Sequence, residues 1–386
     1  IVTDTYGVIG HDSKSYGNSV LVTGGNSHWN SATSLIVGSY GNSNTLVISN
    51  GGKVSDYQGG LGVDATMAPT SSSGNGVLIT GSNSIWTNAD IFVIGSGTVT
   101  VANGGILAAS SIQIGQFGDL DFGRYQQSDS AGSVKAASIL FVGTNGDDYG
   151  INFNQTNSLE VTNSISGTGW VCQLGTGTTT LSASNSYTLY TAVDAGELHI
   201  ASTGSLNGGG TTTIAAGGSL RNEGYISGQA VINGILCGNN GSFRNLTLEP
   251  GASSTWHLSS FTGTAGVSWD LLSTTNLDLS DLSSTNPFTI NIVGTSGEGN
   301  GSSSYVFSYI NVTGVLSGFN SADFVINTSN FTMSPNLEGG SWNVTSTIFD
   351  GVTTLSVIYA VPEPSFYVLF VLGVIGIGMR FLHRKV

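Results

Sequence analysis

Short runs of aliphatic and β-branched residues recur along the first third of the chain, each closed by a glycine or by an Asn-Gly-Gly turn. VLVTGGNSHWNS begins at Val20 and VLITGSNSIWTN at Val77; SLIVGSYGNSNTLVISNGGKVS starts at Ser34 and DIFVIGSGTVTVANGGILAAS at Asp90. Fragments of the same element stand at 8–10 and 112–115, and the Asn-Gly-Gly turns at 50–52 and 103–105. Leu46 alternates with Ile48, and Val99 with Val101, so every second side chain falls on one side of an extended strand. Asn and Gly tolerate the left-handed backbone of tight turns between such strands. One unit cannot bury its apolar side alone, but stacked units can. The pattern predicts an all-β fold whose body, residues 1–261, is a right-handed parallel β-helix, a solenoid with a first repeat type over 8–115 and a second over 182–258. Residues 116–135 interrupt the pattern with charges and glutamines and read as a loop. Trp29 and Trp86 hold the same place in the repeat, which suits a packing corner better than a sugar-stacking stripe.

From 262 to 360 the apolar stretches lengthen, as in PFTINIVG, SYVFSYINV and TTLSVIYA. They predict a C-terminal antiparallel β cap, which a solenoid needs because an open end recruits other chains. The last stretch, 361–386, is VPEPSFYVLFVLGVIGIGMRFLHRKV. Its uncharged run at 366–379 would reach roughly 21 Å as a helix, short of the ~30 Å hydrocarbon core of a bilayer. Snorkelling of Arg380 and the flanks narrows that gap. One short C-terminal transmembrane helix is therefore expected over 366–382, with Arg380, Arg384 and Lys385 on the cytoplasmic side.

Composition sharpens this picture. Glycine supplies 57 of 386 residues and only 8% are charged, against the usual quarter. Apolar residues make up 39%, which is not a disordered composition. The net charge is −14, and no basic patch is present to hold nucleic acid. Cys172 and Cys237 are compatible with one disulfide or with two buried thiols, and their spacing is not that of a metal site. The opening IVTDTYGVIG lacks the basic and apolar regions of a leader, which implies a processed or partial chain.

Candidate chemistry is sparse. Cleavage of a glycan needs carboxylates converging on one groove. Asp119 and Asp121 could share a strand face, whereas the adjacent Asp147 and Asp148 would point apart. Solvated loop acids explain both pairs better than a catalytic set does. His11, His28, His199, His257 and His383 are scattered, without metal spacing. GGLGVDATM at 59–67 resembles one calcium-binding RTX nonapeptide through Gly59, Gly60, Gly62 and Asp64. Thr66 stands where a large apolar residue belongs, and no tandem copy follows. No catalytic residue, metal or cofactor is expected.

Val361, Pro362, Glu363 and Pro364, the apolar run, and the basic end at Arg380, Arg384 and Lys385 together resemble the PEP-CTERM sorting signal of Gram-negative bacteria. The resemblance covers 361–386. It implies recognition by an exosortase, a membrane-embedded cysteine-type transpeptidase that removes the tail. It also implies an exported protein, held in the inner membrane through its C-terminal helix and then passed to the cell surface or to an exopolysaccharide matrix such as a biofilm. The units at 8–115 resemble the repeat shared by autotransporter passengers and PEP-CTERM proteins, through Gly24, Asn26, Ser27 and Trp29 and again through Gly81, Asn83, Ser84 and Trp86. The stretch from Ser182 resembles the autotransporter-associated β-strand repeat, with DAGELHI at 194–200 and AAGGSL at 215–220; Tyr190 and Thr191 stand where that family carries Thr-Gly. The resulting expectation is a non-enzymatic surface or matrix β-solenoid. The alternative is a β-helix lyase or hydrolase of extracellular glycans, motivated by fold class and by Asp119 with Asp121.

Overall fold

The computed structural model describes residues 1–143, 149–238, 240–297, 304–334 and 339–361. Strands of successive coils pair in parallel, and each coil feeds three stacks in turn. The first stack runs through the leading parts of Val2–Ile9 and His28–Val37, then Lys53–Asp56, Ile85–Asn88, Ile106–Ala108 and Ser133–Lys135. The second takes the trailing parts of the same two long strands, then Gln58–Leu61 and the starts of Ile91–Ala102 and Ser111–Phe122. The third takes Ser19–Thr23, Thr45–Ser49, Gly76–Thr80 and the ends of those last two strands. Farther along, the second and third stacks continue through Ser164–Gly167 and Trp170–Gln173. A separate sheet, from Ser158–Val161 to Phe324–Thr332, takes the first stack's place in each coil. The result is an all-β, three-sided parallel solenoid.

Its interior is a set of ladders. Ile48, Ile79, Val101, Phe122 and Phe153 face one another from coil to coil and are all buried. The Phe122 and Phe153 rings stack 5.1 Å apart. Each such side chain contributes about 1.5–3 kcal/mol by leaving water. The corner before the third stack is held by asparagines. Asn18 and Asn44 each donate, through the backbone N–H and the side-chain amide, to Oδ1 of the asparagine one coil on, Asn44 and Asn75. The predicted Asn-Gly-Gly turns are present, with Asn50 and Asn103 left-handed at φ 51° and 53°. At Gly52 and Gly105 a Cβ would lie 2.2 Å from a carbonyl oxygen of the preceding coil, so only glycine lets the coils approach. Trp86 is buried edge-on against Phe92 and donates from Nε1 to Asp56 at 2.8 Å. Trp29 repeats that bond to Asp4. The repeated tryptophan is thus a packing residue with a carboxyl partner.

Several local expectations are corrected. Residues 116–135 do not form one loop. Strand Ser111–Phe122 runs through its start because Leu120 and Phe122 complete two inward ladders, and the loop occupies 123–132 only. Nor is 262–360 antiparallel throughout. Leu272–Asp278, Phe288–Thr295 and Phe324–Thr332 still pair in parallel with the coils before them, because Leu277, Ile290 and Ile292 carry the apolar interior onward. Antiparallel ladders join Tyr305–Val312 and Ser341–Phe349 each to Val352–Ala360, and Tyr305–Val312 also pairs in parallel with Leu272–Asp278. These strands close over an aromatic cluster in which the Phe261 ring meets Phe307, Trp342 and Tyr359. Asp64 of the RTX-like stretch caps its own turn, accepting from the Thr66 N–H and hydroxyl and from the Ala68 N–H. Cys172 and Cys237 are free, buried, and in different stacks. Among the described residues no helix is long and apolar enough to cross a membrane; the span expected at 366–382 lies outside the described residues.

Candidate functional site

Val361, the first residue of the sorting box, follows strand Val352–Ala360 and is partly buried against the core. Pro362, Glu363, Pro364, Arg380, Arg384 and Lys385 lie outside the described residues, as do Asp147, Asp148 and His383. Chemistry within the described solenoid gathers at two places.

The first is on the outer side of the third stack. Leu120 and Phe122 point inward, so Asp119 and Asp121 share the outward face, as their spacing suggested. Asp119 accepts from the Gly150 N–H at 3.2 Å, and Asp121 from Asn152 Nδ2 at 2.9 Å. They are strand residues rather than loop acids. Burial pushes the Asp121 carboxyl up to about 7; the Asn152 bond opposes this and the neighbouring Asp119 charge adds to it. Trp170 lies over Gly150, where a Cβ would meet the indole at 2.3 Å, and its ring stacks on Tyr190 with an interplanar angle of 8°. Cys172 stands beside Asn152 in register; burial pushes its thiol up to about 12, with Asp194 adding, which removes its nucleophilic character. Asp121 is protonated below about pH 7 and can then donate a proton, while both carboxyls can accept hydrogen bonds.

The second place was not evident from the sequence. On the outer face of the later first-side sheet, Thr180, His199, Arg221, Cys237 and Thr255 are successive register partners. Arg221 pairs with Glu197 at 3.2 Å, and His199 Nε2 lies 3.3 Å from Glu223. On the strand that carries Thr255, His257 Nδ1 sits 2.8 Å from the buried carboxyl of Asp270, which holds the imidazole's pKa above its ordinary value. Burial, with Glu197 adding, pushes the Cys237 thiol up to about 11. His199 and His257 therefore lie in the same sheet, three strands apart, and each meets a carboxylate of its own, Glu223 and Asp270. His28 instead bonds Ser55 at 2.9 Å, and His11 is exposed on a loop. Among the described residues no group of three or more His, Cys, Asp or Glu could hold a metal ion.

No family model matches the chain. A stretch of 115 residues is 38% identical to the adhesin BmaC autotransporter of Brucella suis biovar 1 (strain 1330). The match covers 29% of this chain and 3% of that protein, so the chain spans a small part of that relative's length. With the parallel coils, this likeness supports autotransporter-type repeats in the chain.

Proposed function

We propose that the chain is an exported, non-enzymatic β-solenoid of the cell surface or extracellular matrix, delivered through its tail by an exosortase. The observation that carries this reading is the solenoid's exterior. Several coils present uncharged Ser and Thr outward, as at Thr98 and Thr100, Thr178 and Thr180, and Ser253 and Thr255, beside coils that carry Asp119 and Asp121 or Glu197, His199 and Arg221. Such a long, weakly charged surface suits display and extended contact. The adhesin to which part of the chain is similar supports a surface role. The residues of 361–386 support the PEP-CTERM route, with an inner-membrane intermediate before release. The test is mass spectrometry of the protein recovered from its native host, beside Pro362→Ala and Glu363→Ala. Loss of the mass beyond the box, blocked by either substitution, is expected. An intact C-terminus indifferent to both would sink the route.

A second reading, a lyase or hydrolase of extracellular glycans, is favoured by the shared face of Asp119 and Asp121 and by the raised pKa of Asp121. It predicts release of reducing ends from a polysaccharide and loss of that release in Asp121→Asn.

A further inference from the structure

The loop at 123–132 leaves the third stack after Phe122 and rejoins the first at Ser133. One coil earlier the same corner needs only the Asn103–Gly104–Gly105 turn before strand Ile106–Ala108. The longer loop is braced from within. Arg124 donates from Nε to Asp129 Oδ2 at 2.7 Å and from Nη2 to Asp129 Oδ1 at 3.0 Å. Asn103 of the preceding coil donates from Nδ2 to the same carboxyl at 3.0 Å and accepts from the Ser130 N–H. The Arg124 guanidinium holds the Asp129 carboxyl down at about 2, so the brace persists across physiological pH. The loop is also tied to both neighbouring coils: the Asn103 and Gly104 N–H groups donate to the Ser130 and Ala131 carbonyls, and the Thr156 N–H to the Asp129 carbonyl, so its side chains project from a fixed backbone.

Against the loop lies a cavity of about 350 Å³, lined among others by Tyr125, Gln126, Gln127, Asn154, Thr156 and Leu174, with no charged residue. Tyr125 at the rim is 61% exposed. Asn154 in the lining is only 4% exposed; its Nδ2 donates to the Gly123 carbonyl, but its Oδ1 accepts no hydrogen bond. That oxygen is closed off from solvent and does not face the cavity; the Asn154 side chain serves instead to tie the lining to Gly123 at the start of the loop.

We infer that this cavity binds a neutral polysaccharide, with the Tyr125 ring against sugar C–H groups and the glutamine and threonine side chains pairing with sugar hydroxyls. Few convergent polar groups beside an aromatic wall are what fix the orientation of such a ligand. The uncharged lining offers no counter-ion to a charged glycan, and the chain's net charge of −14 repels an anionic one. The inference rests on the matrix reading above and names its partner.

The test is calorimetric titration of the full, detergent-solubilised chain with dextran, laminarin and galactomannan, and with polygalacturonate and chitosan as charged counterparts. Saturable binding of at least one neutral glycan is expected. Tyr125→Ala and Gln127→Ala should each weaken it at least tenfold with an unchanged melting temperature. Arg124→Lys, which keeps the charge but loses the two-pronged brace, should weaken it without touching the cavity. Binding of the charged glycans alone, binding indifferent to Tyr125→Ala and Gln127→Ala, or no binding of any neutral glycan overturns the site. Tail cleavage is read separately: intact cleavage with no glycan binding removes the site and leaves the route, and the converse leaves the site.

Discussion

Asp56 is a carboxyl inside the solenoid. Its Oδ2 accepts from Trp86, and its Oδ1 has no partner. Asn88, its register partner one coil on, also has an unpartnered Oδ1. Burial pushes the Asp56 carboxyl up to about 7, outweighing the Trp86 bond. A carboxyl raised in the fold costs nothing below its unfolded value, about 4, and stability is lost as pH climbs through about 7. Asp56→Asn keeps an acceptor for Trp86 and adds a donor for Asn88. It should stabilise the protein by about 1–3 kcal/mol above neutral pH and change little near the unfolded carboxyl pKa. Thermal melts across pH check this, and a loss of stability in the variant at alkaline pH would refute it. His257 follows the same pH direction by another cause. The Asp270 bond raises its pKa, so that bond's contribution is whole below about 6.5 and is lost as pH rises through the folded value. An NMR titration of His257 should show its midpoint fall in Asp270→Asn.

Strands and turns work through their neighbours one coil away. Leu120 faces Val99 and Ile151 in an inward ladder, and Leu120→Ala should cost about 2–5 kcal/mol in denaturant unfolding. Asn44→Ala removes the oxygen that receives two donors of Asn18, and should cost about 1–3 kcal/mol. Gly52→Ala drives a methyl into the Val22 carbonyl oxygen and should cost more than an exposed glycine change such as Gly25→Ala, where a Cβ meets nothing. These turns were legible because Asn-Gly-Gly names its own backbone conformation. The strand character of 117–122 was not. Asp119, Asp121 and Phe117 mask the alternation of Leu120 and Phe122, which becomes meaningful only once Val99, Val101, Ile151 and Phe153 lie alongside.

For the whole molecule, the closing strands protect the solenoid's later end. Val352–Ala360 pairs antiparallel with both Tyr305–Val312 and Ser341–Phe349 over the aromatic cluster. Leu355 is fully buried there. Leu355→Asp should open this end while leaving earlier coils folded, giving concentration-dependent oligomers with a β-rich circular dichroism spectrum. Light scattering reads the outcome; a monomer with lost β signal would mean instead that the solenoid unravels from that end.

The order of residues was enough to read repeat, turn and strand alternation, because each is local: period-two burial, glycine and asparagine in tight turns, apolar runs of strand length. It also carried the tail motif, whose residues are contiguous. Which outward side chains meet could not be read in the same way. The Asn18–Asn44 step spans 26 residues and the Asn44–Asn75 step spans 31, so loops of unequal length erase any fixed period. Folding alone brought His199 beside Arg221, set Asn152 against Asp121, and framed a cavity between a braced loop and Asn154. Those contacts lie across coils, where sequence distance carries no information and backbone pairing register decides.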